Sequence, residues 1–177
     1  NTQPIPGDPT GLDSPTVFKD LTEPDPARRY KLSVWINPIG QFLDDPAANY
    51  KYRMEESKPG AGRYLFYSPD GMHFTLADVP PYLYVQHGIG DRSPIMYDVQ
   101  KKRYIALWKM GRAAPQAYVS RAQRIRGWSE SEDMRSWSDP VRILWPDSFD
   151  KDDADFYSMT GFNYGDMYLG LLEVFHR

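Results

Sequence analysis

Apolar and aromatic residues gather in short runs along this chain, and helical spacing is hard to find. Runs at residues 29–35, 63–67, 103–108 and 164–172 are rich in Tyr, Phe, Val, Ile and Trp, which predicts strands. Between them fall clear breaks: Asp70-Gly71, Pro80-Pro81 and Gly88-Ile89-Gly90. Sixteen prolines and thirteen glycines are spread through the rest, so turns are frequent and strands short. The pattern predicts a nearly all-β chain.

The order of these runs repeats. A first copy goes from Asp13-Ser14-Pro15-Thr16-Val17-Phe18-Lys19-Asp20, through Arg29-Tyr30-Lys31-Leu32, to Tyr67-Ser68-Pro69-Asp70-Gly71-Met72-His73-Phe74. A second goes from Asp91-Arg92-Ser93-Pro94-Ile95-Met96-Tyr97-Asp98, through Arg103-Tyr104-Ile105-Ala106-Leu107, to Trp128-Ser129-Glu130-Ser131-Glu132-Asp133-Met134-Arg135-Ser136-Trp137. A third opens at Asp155-Phe156-Tyr157-Ser158 and is expected to be cut after its second strand. Each full copy reads strand, turn, strand, long loop, strand, turn, strand, which predicts one four-stranded antiparallel sheet. Such a sheet cannot cover both of its faces alone, so the copies are expected to stack around an axis as the blades of a β-propeller. On this reading residues 1–177 form a partial propeller: a blade at 13–80 with an inserted surface loop at 38–61, a blade at 91–145, and a half blade at 155–177. Open sheet edges would then be covered by blades from missing sequence or from another chain.

Composition narrows the function classes. A 41% hydrophobic content with 15% aromatics is enough to bury a core in a chain of 177 residues. A formal net charge of -3 gives no general attraction to nucleic acid or to an anionic membrane, and neither is expected as a partner. The longest strongly apolar stretch, residues 167–175, contains Gly170 and Glu173 and falls far short of the roughly 20 residues of a membrane helix. The absence of cysteine removes disulfides, thiolate catalysis and cysteine-based zinc sites. The chain starts at Asn1 without Met, so a processed, trimmed or partial product is expected, with any export signal already lost. His73, His87 and His176 form no metal-binding pair, so no transition metal is expected. The acidic run Asp150-Lys151-Asp152-Asp153-Ala154-Asp155 offers oxygen ligands for Ca²⁺, with a solvated loop as the plainer alternative. Arg121, Arg124 and Arg126 alternate and so share one strand face, either solvent-facing or suited to carboxylated or sulfated sugars. Tyr82, Tyr84 and Trp108 are candidate stacking platforms for sugar rings, with core packing as the alternative.

Several motifs, in this order, carry a family resemblance: Asp25-Pro26-Ala27-Arg28-Arg29-Tyr30-Lys31, the Ser68-to-Phe74 turn, Tyr97-Asp98 with Arg103-Tyr104, Ser129-to-Asp133 with Trp137-Ser138-Asp139-Pro140, and Asp155-Phe156-Tyr157. Together they resemble bacterial five-bladed propeller proteins similar to the N-terminal domain of invertase-like and arabinanase-like glycoside hydrolases. The resemblance implies that about two and a half of five blades are present, in a secreted or periplasmic protein acting on a poly- or oligosaccharide. It implies carboxylates at the starts of successive inner strands: Asp13 as nucleophile or base, Asp91 as orienting acid, and Asp155 or Glu173 as proton donor, the pairing that glycoside cleavage needs. It adds Arg92 and Tyr157 to the substrate-binding candidates. The first two acidic motifs depart from the invertase-like pattern, reading Leu12-Asp13-Ser14-Pro15 and Asp91-Arg92-Ser93-Pro94. A non-catalytic carbohydrate-binding propeller and a structural assembly protein are the alternatives. The repeated Ser-x-Asp turns at Ser68 and Ser131 are expected to be architectural and not catalytic.

Overall fold

The computed structural model describes residues 12–36, 62–79, 90–111 and 124–177. It is all-β, with antiparallel sheets and no α-helix among the described residues. The chain divides into two compact units, Asn1–Val85 and Gln86–Arg177.

The first unit holds one four-stranded sheet in the order β1 (Leu12–Lys19), β2 (Tyr30–Ile36), β3 (Gly62–Ser68) and β4 (Thr75–Leu76). The β1–β2 connection contains a short 3-10 turn, Pro26–Arg28, because Pro26 supplies the required φ and Asp25 accepts a hydrogen bond from the Ala27 amide at 2.9 Å. One core cluster joins Val34 and Ile36 of β2 to Tyr64 and Phe66 of β3, with Leu32, Phe74 and Leu76 packed against it. Residues two apart on a strand share a face, which is why these positions meet.

The second unit repeats the arrangement with β5 (Ile95–Asp98), β6 (Arg103–Gly111), β7 (Arg124–Ser131) and β8 (Val141–Leu144), then adds a hairpin of β9 (Ala154–Tyr164) and β10 (Met167–His176). Ile105 and Leu107 of β6 pack on Met159 of β9, so hairpin and sheet share a core with Met96, Trp128, Ile143 and Tyr168 around it. Residues 164–172, expected as one strand, instead contain a turn: Gly165 takes φ +58 and reverses the chain between Tyr164 and Met167. The inserted loop expected at 38–61 lies outside the described residues.

The two four-stranded sheets share local devices. Asp20 accepts from the Thr22 amide and Asp98 from the Gln100 amide, each at 2.9 Å, closing the first hairpin of its sheet. Asp20 also holds buried Lys31 at 2.6 Å, whereas Asp98 accepts from the Tyr168 hydroxyl. At the same end of each sheet, Ser68 and Ser131 accept from the amides three residues on, Gly71 and Met134, at 2.9 and 2.8 Å. Asp70 then accepts from the amides of Met72 and His73, and Asp133 from those of Arg135 and Ser136. The third residue after each serine is left-handed, Gly71 at φ +79 and Met134 at φ +60. These turns are architectural in the structure: the serine and aspartate of each Ser-x-Asp motif bond to one another and to the turn's own amides, and Asp70 also meets the His73 ring at 2.7 Å.

Candidate functional site

A cluster in the second unit gathers six of the residues singled out in the sequence: Asp91, Arg92, Arg124, Arg126, Asp155 and Tyr157. Its foundation is Arg126 on β7. The Arg126 side chain is 0% exposed and donates from Nη1 to the Tyr157 carbonyl at 3.1 Å and from Nη2 to the carbonyls of Arg92, at 3.0 Å, and Leu107. One guanidinium thus ties three chain segments together, while its Nε has no partner. Burial pushes its pKa down to about 9, which leaves it cationic at neutral pH.

The first unit has the counterpart. Arg63 on β3 is buried and donates to the Ser14 carbonyl at 3.2 Å and to the Ser33 hydroxyl at 3.2 Å. Ser14 and Arg92, whose carbonyls are gripped, both have φ +49. That backbone is costly for residues other than glycine, and a buried donor on the carbonyl helps to hold it. Sequence reasoning missed these two arginines as buried. The signal was spacing, because each sits five residues before the serine of the repeated turn.

Tyr157 occupies a β-bulge. Ser158 pairs with Glu173 and Phe156 with Val174, so Tyr157 has no partner in the ladder. A bulge bends the strand and re-aims the extra side chain. Around the part-exposed Tyr157 ring lie Lys109 at 5.0 Å, Arg124 at 5.1 Å and Arg92 at 5.6 Å from the ring centroid, within cation–π range. Phe175 packs beside it, with ring centroids 5.8 Å apart.

Two of these cations are balanced by acids. Lys109 is ion-paired to Asp91, and Arg124 Nη1 lies 2.7 Å from Asp155 Oδ2. Asp155 is 0% exposed, also accepts from the Arg124 amide at 3.3 Å, and lies 3.4 Å from Arg177 Nε. Asp91, Lys109, Tyr157, Arg124 and Asp155 therefore form one continuous chain of contacts. This corrects the expectation that Asp155 donates a proton to substrate: a carboxylate without exposed surface and engaged by two guanidiniums anchors Arg124 instead.

The other candidates are placed differently. Asp13 lies in the first unit and accepts from the Ser14 hydroxyl at 2.7 Å. Glu173 is exposed on β10. Trp108 is not a stacking platform: it is 0% exposed, donates from Nε1 to Ser129 Oγ at 2.7 Å, and packs edge-on against Trp137. Tyr82, Tyr84, His87 and Arg121 lie outside the described residues. The acidic run at 150–155 does not converge as a Ca²⁺ site, since Asp150 accepts from the Asp147 amide, Asp153 pairs with His176, and Asp155 with arginines. Among the described residues no group of three His, Asp or Glu is placed to hold a metal ion.

No family model matches the sequence, and no curated protein does. Among solved structures the chain is similar to an N-acetylgalactosamine deacetylase from F. plautii, in complex with blood group B trisaccharide, at a TM-score of 0.44 and 12% identity. That match covers 100% of this chain and 66% of the other.

Proposed function

We propose that this chain is part of a glycoside-hydrolase-like β-propeller and that it binds carbohydrate at the Tyr157 cluster. The blade reading is supported by repetition: the hairpin aspartate, left-handed residue, buried third-strand arginine and serine turn recur in both four-stranded sheets. Stacked copies of one such sheet are the economical way to cover its faces.

The observation that carries the sugar reading is Tyr157 on its bulge, joined through Lys109 and Arg124 to Asp91 and Asp155. Sugars present apolar C–H faces flanked by hydroxyl groups, so they suit a ring bordered by charged hydrogen-bonding groups. Binding is favoured over cleavage because both acids of the cluster are engaged by cations. Cleavage is the second reading, favoured by Asp13 and Asp91, which each precede the residue at φ +49 in their sheet.

The test is retardation of the protein in gels containing a panel of neutral and acidic polysaccharides, alongside assays of reducing-sugar release. At least one polymer is expected to retard the wild type and to lose that effect in Tyr157→Ala. Failure of every polymer to do so removes the binding reading, and release of reducing ends that is lost in Asp91→Asn installs the hydrolase.

A further inference from the structure

The charges of the Tyr157 cluster do not cancel. Lys109 is paired with Asp91, while Arg124 and Arg177 share Asp155. Arg92 and Arg126 have no carboxylate partner among the described residues. Arg126 is buried beneath the cluster and its donors are directed to carbonyl oxygens. Arg92 is exposed, and its guanidinium sits over the Tyr157 ring, 5.6 Å from the ring centroid. An exposed guanidinium normally ranges over many rotamers, and here an aromatic face restricts it. Its planar fork of donors is therefore partly organised before any ligand arrives, the condition under which arginine grips an oxyanion in two places.

The surplus is local. The whole chain carries a formal net charge of -3, yet Arg92, Lys109 and Arg124 gather around one ring, with Arg126 buried beneath it. A neutral sugar can accept hydrogen bonds from a guanidinium but leaves its charge unbalanced, whereas an anionic group accepts in the same way and offsets the charge. From this we infer that the ligand of the cluster is an acidic glycan, one whose sugar stacks on Tyr157 while a carboxylate or sulfate group is held by Arg92. The inference rests on the carbohydrate reading above and adds the class of sugar to it. Carboxylate and sulfate offer the same chemistry to the fork, paired anionic oxygens, and separate polymers distinguish them.

The experiment measures binding by titration calorimetry with polygalacturonate, a sulfated galactan and a neutral galactan, at low and at high sodium chloride. The expected result is binding of one or both acidic polymers, weakened by salt, with little or none of the neutral one. Arg92→Gln is expected to weaken acidic binding about tenfold, and Arg92→Lys to restore part of it. Unchanged thermal unfolding in both variants shows that the fold is intact. Equal affinity for neutral and acidic polymers, or an Arg92→Gln variant that binds acidic polymer as tightly as wild type, overturns the inference and leaves the carbohydrate reading standing. Binding of no polymer in this set or in the wider panel overturns both.

Discussion

Arg126 carries its charge into a site where carbonyl oxygens, and no carboxylate among the described residues, receive it. Replacing it with Met keeps the volume but strands the carbonyls of Arg92, Leu107 and Tyr157. Arg126→Met is therefore expected to cost about 3 kcal/mol, read from urea denaturation. Wild-type stability in that variant would show that the staple is dispensable. The turn acids make a different case. Burial raises the Asp133 pKa, but the amides of Ser136 and Arg135 and the Ser131 hydroxyl outweigh it and hold the carboxyl below its ordinary range. At Asp70 the His73 amide leads in the same direction. A folded-state pKa below the unfolded value gives stability that is present above about pH 4 and is lost as pH falls through the folded value. Asp133→Asn should therefore be less stable than wild type near neutrality and show a shallower loss between about pH 4 and pH 2, followed by circular dichroism. Equal acid sensitivity would count against the turn as its source.

β10 is the element with the least cover. Leu171 is 74% exposed, and Phe175, Val174, Met167 and Leu169 are exposed beside it, while its outer edge pairs with no strand among the described residues. Unpaired strand edges with apolar faces template association, and a lysine on the edge opposes it. Leu171→Lys is expected to shift the protein towards smaller species in size-exclusion chromatography, and an unchanged elution profile would clear β10 of that role. The central strands β2, β3 and β6 were legible because Tyr, Phe, Val and Ile runs there end at strong breaks. The β9–β10 turn was not, because Gly165-Asp166 is short and Tyr164 and Met167 continue the apolar pattern across it. Trp108 could not be assigned to core or surface from sequence, since the same ring suits a sugar or a neighbouring Trp137. Arg126 was hidden for a plainer reason: alternation puts Arg124 and Arg126 on one face without saying whether water lies beyond it.

At the scale of the molecule, a formal net charge of -3 with a sequence pI near 5.6 leaves little repulsion between copies. Light scattering is therefore expected to rise as pH is lowered from 8 towards 6, and to rise less in Leu171→Lys. A flat response would mean that charge does not limit association. Much of the candidate site could be named from sequence, as Asp91, Arg92, Asp155 and Tyr157, yet not its wiring, because Lys109 and Arg124 reach it from β6 and β7 through pairings that only the folded sheet sets. The connectivity of those sheets has a last consequence. Within each one the strands pair in chain order, β1 to β4 and β5 to β8, and no later segment threads back between them. A stretch of gene encoding one sheet can thus be copied or lost by recombination between repeats without rerouting its neighbours, and each new copy is free to diverge at the residues that once matched.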